Sequence, residues 1–177
     1  MSSQADRTVP VADMQHLLRR SFAMRAAFYA ETFAVLTAEV GRDKALALCM
    51  QMTRRMGEKM GTAYAAHGPA DLRGLKDSFL GGIIEGEALF SPEVIRCDDE
   101  ALCINFHRCP LKEAWESQGY AGEHLKDLCI IAGAIDGGLF EAAGFTFAGE
   151  TWQPGDSGCC RLKVLPGKVL PGPAAKT

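Results

Sequence analysis

The chain lacks any apolar run close to the roughly 18 residues that a membrane-spanning helix needs. It also lacks a basic excess, since its formal net charge is -3 and its pI is near 5.8, which argues against a nucleic-acid-binding surface. The polar start MSSQADRTVP has no apolar segment typical of a signal peptide. We therefore expect a cytoplasmic protein with neither a membrane nor nucleic acid among its partners.

Several motifs of well-known sites are missing as well. There is no Walker or dinucleotide-binding glycine loop and no serine nucleophile elbow. No Cys-x-x-Cys or His-x-x-x-His pair occurs, so an ordinary structural zinc site is not indicated. The seven cysteines are an odd number, and without an export signal we do not expect a disulfide framework.

The remaining composition, 47% hydrophobic and 23% charged over 177 residues, is that of a globular chain with a sizeable core. Apolar residues recur at steps of three and four over about 11–40, 44–66 and 72–90, which predicts three helices. In the second helix, Gly57 and Gly61 predict close approach of another helix. Its four methionines are expected to fill the core or, alternatively, to form an adaptable wall around a ligand; they are Met50, Met52, Met56 and Met60.

After residue 91 the apolar period changes from near 3.6 to 2. This predicts strands over 93–97, 101–108, 144–151 and 158–165, with helices from Pro110 to about 118 and over 123–140 between them. The predicted fold is a single α+β domain, in which N-terminal helices (11–90) pack on a four-stranded antiparallel sheet with helical insertions (91–165). We expect residues 1–10 to be a disordered lead and 166–177 a flexible tail.

Two cysteines and one carboxylate mark the most reactive part of the chain. Cys109 directly precedes the predicted helix start at Pro110, where outward-pointing amides and the helix dipole lower a thiol pKa. Cys129 lies on the apolar stripe of the next helix, and Asp136 follows on the same stripe two turns, or ~10 Å, further on. A carboxylate there is costly unless it is paired. The alternative is a partly exposed aspartate where the helix frays beside Gly137.

A third cysteine belongs to the last predicted strand. Alternation along that strand places Cys160 inward with Leu162 and Val164, and Cys159 on the wetter face. His107, two residues before Cys109, is a candidate for proton transfer to and from the thiol.

The sequence Cys-Pro-Leu at 109–111, Leu-Cys at 128–129 and a C-terminal Gly-Asp followed by Cys159-Cys160 resembles the L-2-amino-thiazoline-4-carboxylate hydrolase family over about residues 40–165. That family is similar in architecture to the vinyl-reductase-like small-ligand domains. The resemblance implies hydrolysis of a carbon–nitrogen bond in a small cyclic amidine. It also places the family's cysteines at Cys109, Cys129 and Cys160. The family's aspartate, three residues after the helix cysteine, corresponds to Ala132 here, and Asp136 one turn on is the candidate substitute.

Two classes of function follow. In the first, a hydrolase, the thiolate of Cys109 or Cys129 attacks the substrate, His107 or His124 moves the proton, and Asp136 orients the histidine or the substrate. In a variant of it, the three thiols hold a zinc ion whose bound water attacks, with Asp136 or His107 completing the site; no other cofactor is expected. The second class is a non-catalytic small-ligand-binding or sensor domain. Either way the partner is a small molecule, and assembly into a homo-oligomer stays open.

Overall fold

A computed structural model describes residues 10–168 of the chain. Residues 1–9 and 169–177, which make up most of the predicted disordered lead and flexible tail, lie outside the described part. Within it the helices are α1 (Val11–Val40), α2 (Arg42–Gly61), α3 (Leu72–Gly81), α4 (Gly86–Leu89), α5 (Pro110–Ser117) and α6 (Gly122–Ala142), with a 3-10 helix at Thr62–His67.

The strands form one four-stranded antiparallel sheet in the order β1-β2-β4-β3. Their ranges are β1 (Pro92–Cys97), β2 (Leu102–Phe106), β3 (Thr146–Phe147) and β4 (Arg161–Leu165). In β2, Leu102, Ile104 and Phe106 are buried, as the alternation predicts. The N-terminal helices precede all the strands, which confirms the predicted α+β fold.

None of the helices described between residues 10 and 168 combines the length and the apolar character that crossing a membrane requires.

The helix boundaries differ from the prediction where glycine interrupts the pattern. The first helix ends before Gly41 at φ +80°, as expected. The second ends at Gly61, earlier than predicted, and the chain tightens into the 3-10 helix before Pro69. The predicted helix over 72–90 is two short helices, since Gly81 and Gly82 weaken its middle. Asp71 caps α3 by accepting a 2.9 Å hydrogen bond from the Gly74 amide.

The last two strands are shorter than predicted. Strand β3 has two residues and β4 begins at Arg161, with one further isolated bridge between Glu150 and Arg161. The segment before β4 contains Gly155 and Gly158, both with positive φ, so the chain turns there instead of staying extended. The prediction that Cys160 lies within the strand was therefore wrong, because this residue immediately precedes it.

Helices α2 and α6 pack at backbone distance, as the spacing of Gly57 and Gly61 predicted. A side chain at Gly57 would overlap the carbonyl oxygen of Ile135, and one at Gly61 that of Leu139. From the other helix, a side chain at Gly138 would overlap the carbonyl oxygen of Arg54. This contact fixes α6, the helix that carries Cys129 and Asp136, against α2.

The buried side chains form two clusters. One joins helices around Phe33, Trp115 and Leu128, and the Trp115 indole N–H donates to the Ala26 carbonyl at 2.8 Å. The other covers the sheet and includes Ile104 and Phe140. Core filling by the α2 methionines was wrong for three of the four, because Met52, Met56 and Met60 are 40%, 56% and 47% exposed.

Candidate active site

A cavity of about 220 Å³ lies where the two clusters meet. Its wall is drawn from α1, α2, α3, β2, α5, α6 and the segment before β4, so it exists only in the folded chain. Its apolar lining consists of Phe22, Tyr29, Met60, Phe79, Ile83, Phe90, Phe106, Leu111, Trp115, Ala132, Ile135 and Leu139. Its polar lining consists of Arg25, Arg108, Cys109, Cys129, Asp136, Cys159 and Cys160. All three predicted site cysteines and the predicted aspartate therefore line one cavity.

Cys109 occupies the N-cap position of α5 in extended conformation, with Pro110 beginning the helix. A hydrogen bond from the Cys159 thiol lowers the pKa of Cys109, and the backbone amides of Lys112 and Leu111 lower it further. Burial and the charge of Asp136 oppose this shift, but the donors outweigh them. Of Cys109, Cys129 and Cys159, Cys109 is thus the one whose pKa is lowered.

Cys159 is the neighbouring thiol that lowers the pKa of Cys109. Its sulfur lies 3.3 Å from that of Cys160, and both are free thiols. Its pKa is raised because it donates to Cys109, pairs with Cys160 and is buried. The prediction that Cys159 is the wetter of the two was wrong, since Cys159 is buried at 8% exposure and Cys160 is half-buried. Strand alternation does not apply to Cys159 because β4 starts two residues later.

Cys129 also faces the cavity, but in a different electrostatic environment. Burial raises its pKa to about 12, and the neighbouring thiols Cys109 and Cys160 add to the shift. At neutral pH it stays protonated and apolar in character. Of the two candidate nucleophiles, the environment favours Cys109.

Asp136 lies on the cavity wall, one turn of α6 beyond Ala132, which lines the same cavity. The carboxyl keeps some area towards the cavity, yet protein atoms surround it, and this burial raises its pKa to about 7. No cation or hydrogen-bond donor in residues 10–168 offsets that burial. Asp136 can therefore carry a proton at neutral pH.

The two candidate histidines lie outside the cavity lining. The His107 ring contacts Glu93 at 2.8 Å on the exposed face of the sheet. His124 packs edge-on against Tyr120 and near Phe33. The structure thus brings together Cys109, Cys129, Cys160 and Asp136 and leaves both histidines aside. His107 follows Phe106, the last residue of β2, and its side chain is 51% exposed.

Two arginines border the cavity. Arg108 is held by Glu113, whose carboxylate accepts at 2.7 and 3.0 Å, and by the Ala88 carbonyl. The Arg25 guanidinium lies over the Phe22 ring, 4.5 Å from its centre. Across residues 10–168, no three histidine, cysteine, aspartate or glutamate side chains are grouped as a metal site.

Sequence reasoning missed the wall that α1 contributes and the part played by Cys159. Phe22 and Tyr29 repeat at seven residues on α1, a spacing that predicts a shared helix face but not what it faces. The role of Cys159 depends on a turn whose direction the sequence does not specify. Together these groups supply a thiol with a lowered pKa, a carboxyl with a pKa of about 7 and an aromatic enclosure for a small ligand.

The chain is similar to known proteins in its fold and in its family. No curated protein sequence matches the chain. Among solved structures, the phenol-responsive sensory domain of the transcription activator PoxR, crystallised with phenol, has a similar fold, with a TM-score of 0.52 and 13% sequence identity. The similarity covers 82% of this chain and 74% of that one. Residues 21–163 match the family model described as L-2-amino-thiazoline-4-carboxylic acid hydrolase. Because that match spans most of its length, the chain belongs to the L-2-amino-thiazoline-4-carboxylic acid hydrolase family.

Proposed function

We propose that the protein is a hydrolase that opens a carbon–nitrogen bond of a small cyclic amidine or related heterocycle, with Cys109 as the nucleophile and Asp136 as the proton donor. The observation that carries the proposal is that a thiol with a lowered pKa and a carboxyl with a pKa of about 7 line the same cavity. Membership of the family supports the reaction class.

In the first step the Cys109 thiolate adds to the amidine carbon and forms a carbon–sulfur bond. The carbon–nitrogen bond then breaks, and the leaving nitrogen takes the proton of Asp136. The Cys159 thiol, which donates to the Cys109 sulfur, stabilises the thiolate before attack. Aromatic walls that include Phe22 and Trp115 are suited to holding a planar ring beside Cys109.

In the second step water adds to the carbon attached to Cys109. Its proton returns to Asp136, the carbon–sulfur bond breaks, and the thiolate is restored. Asp136 therefore acts as acid in one half of the reaction and as base in the other, a pattern suited to a carboxyl with a pKa near the working pH. The predicted participation of His107 is not needed in this scheme, and Asp136 stands in for the family aspartate at Ala132.

Turnover of a panel of cyclic amidines and thiazolines, including 2-amino-thiazoline-4-carboxylic acid, tests the proposal. Replacing Cys109 with serine is expected to reduce kcat/KM by on the order of 100-fold or more, because serine is not ionised at neutral pH. Cys103→Ser is the matched control, since this half-buried cysteine lies on β2 outside the cavity lining and should keep wild-type activity. Full activity of Cys109→Ser would exclude the nucleophile role. Zinc measured in the active protein at one ion per chain would favour the metal-bound water variant.

A second candidate, a small-ligand sensor without catalysis, is favoured by the predominance of aromatic and aliphatic groups in the lining. The structural relative PoxR is named as a phenol-responsive sensory domain. Under this alternative the cavity retains a small uncharged aromatic molecule such as phenol, and no compound of the panel is turned over by the wild type.

A further inference from the structure

The outward face of α1 carries an apolar seam with the spacing of a coiled coil. Positions 14, 17, 21, 24, 28, 31 and 35 alternate in steps of three and four, and all seven are exposed. Five of them are apolar, and their exposed fractions are 46% for Met14, 52% for Leu17, 75% for Met24, 65% for Phe28 and 60% for Val35. The seam runs for about 31 Å at the rise of an α-helix.

This seam is separate from the face that α1 turns inward. The buried residues of α1 are Ala26, Ala30 and Phe33, which contribute to the helical core. Nothing in residues 10–168 covers the outward seam. Helix α1 is therefore packed on its inward side and leaves a second apolar face exposed to water. Isolated apolar side chains are common on surfaces, but five exposed apolar side chains in one row along three heptads are typical of an association site.

We propose that the α1 seam pairs two copies of this chain in an antiparallel helix dimer. In one register, two residues face each other when their residue numbers add up to 52. Leu17 then faces Val35 of the second copy, Met24 faces Phe28, and the two polar seam positions, Ser21 and Glu31, face each other. Shifting the register by one heptad places Glu31 against Met14 or Phe28, which would bury a carboxylate against an apolar side chain.

The charges along α1 favour the same orientation. Its first half carries Arg19, Arg20 and Arg25 against a single acid, Asp13, whereas its second half carries only the acids Glu31 and Glu39. Antiparallel pairing sets the basic half of each helix beside the acidic half of the other. Parallel pairing would instead place Arg20 near Arg25 of the second copy and oppose association.

The seam and the candidate active site use different residues of α1. Phe22, Arg25 and Tyr29 line the cavity, and none of them is a seam position. The proposal is independent of the hydrolase assignment, because it depends only on the outward face of α1.

Sedimentation velocity over a range of protein concentrations tests the pairing. The wild type is expected to show a concentration-dependent monomer–dimer equilibrium, and Phe28→Glu to raise the dissociation constant by roughly tenfold or more. Ile84→Glu is the control, since Ile84 is 70% exposed and lies outside α1, and it should leave association unchanged. Circular dichroism verifies that each variant keeps its helix content. A wild type that stays monomeric at every concentration overturns the proposal.

Substitutions at Ser21 test the orientation. With Ser21 facing Glu31 of the second copy, Ser21→Lys is expected to tighten the dimer and Ser21→Glu to weaken it. In a parallel dimer Ser21 would face itself, so both substitutions would weaken association. Weakening by both, or no effect of either, would refute the antiparallel register even if the protein dimerises.

Discussion

At the scale of single residues, the candidate site lowers the pKa of a thiol and raises the pKa of a carboxyl. Donors from Cys159 and two backbone amides stabilise the Cys109 thiolate, while Asp136 has no such donor and burial favours its neutral form. The position of Cys109 at a helix start and of Asp136 on an apolar stripe could be predicted from the sequence. The contribution of Cys159 could not, because it depends on the path of the turn at Gly158.

Asp136 should make the stability of the protein fall as pH rises. Its pKa is about 7 in the folded protein and near 3.9 in an unfolded chain, so the folded state binds the extra proton between these values. The contribution of Asp136 to the free energy of unfolding is therefore fully present below about pH 4 and is lost as the pH rises towards 7. We expect the free energy of unfolding of the wild type to drop by on the order of 2 kcal/mol more than that of Asp136→Asn over this range, after allowing for the part that faces the cavity.

Urea denaturation at several pH values measures this difference. Asp99→Asn serves as the control, because the Asp99 side chain is 95% exposed and its replacement should keep the wild-type slope with pH. If the free energy of unfolding changes with pH equally in Asp136→Asn and in the wild type between pH 4 and 7, the Asp136 carboxyl is not buried in the way described.

At the scale of elements, the helices were predicted better than the strands. The period of 3.6 persists over 30 residues in α1, and its end at Gly41 has a local cause. Strands β3 and β4 were predicted too long. The chain turns at Gly155 and Gly158, which have positive φ, and the alternation of apolar and polar residues does not indicate such backbone conformations. The glycines of α2 correctly predicted a close helix contact, although the partner helix could not be identified from the spacing.

The contact between α2 and α6 should be very sensitive to one added methyl group. A Cβ at Gly138 would overlap the carbonyl oxygen of Arg54, a backbone atom that cannot move aside without separating the helices. We expect Gly138→Ala to reduce the free energy of unfolding by roughly 3 kcal/mol or more. Gly81→Ala is the matched control, since a Cβ there meets nothing within 4 Å, and it should be neutral or slightly stabilising.

Thermal or urea unfolding of the two variants measures the comparison. A Gly138→Ala protein as stable as Gly81→Ala would contradict the close packing that holds α6, and with it Cys129 and Asp136, in place.

At the scale of the whole molecule, the fold class followed from the sequence but the cavity did not. Its walls come from residues as far apart as Phe22 and Cys160, and no local pattern reports which faces of distant elements meet. The reactive groups could be identified from the sequence because their residue types and positions are local features; they are Cys109, Cys129, Cys160 and Asp136. The aromatic enclosure could not, because it forms only when distant elements meet.

Occupation of the cavity should stabilise the entire fold. Under the sensor alternative, phenol binds only the folded protein and is expected to raise Tm by about 5–10 °C when its concentration is about 100 times Kd. Ala132→Phe places a ring where Ala132 lines the cavity and should abolish the shift while the protein still unfolds cooperatively. An equal shift in wild type and Ala132→Phe would mean that the ligand binds elsewhere.

The ionisation of Cys109 is the property on which the proposed chemistry depends. The rate of alkylation of Cys109 as a function of pH, followed by mass spectrometry of the peptide that contains it, measures this property directly. We predict a midpoint below the ordinary thiol pKa of about 8.5 in the wild type. The midpoint should shift upward in Cys159→Ala, which removes the donor, and stay unchanged in Cys103→Ala. A wild-type midpoint at or above the ordinary value, unaffected by Cys159→Ala, would contradict the assignment of Cys109 as the nucleophile.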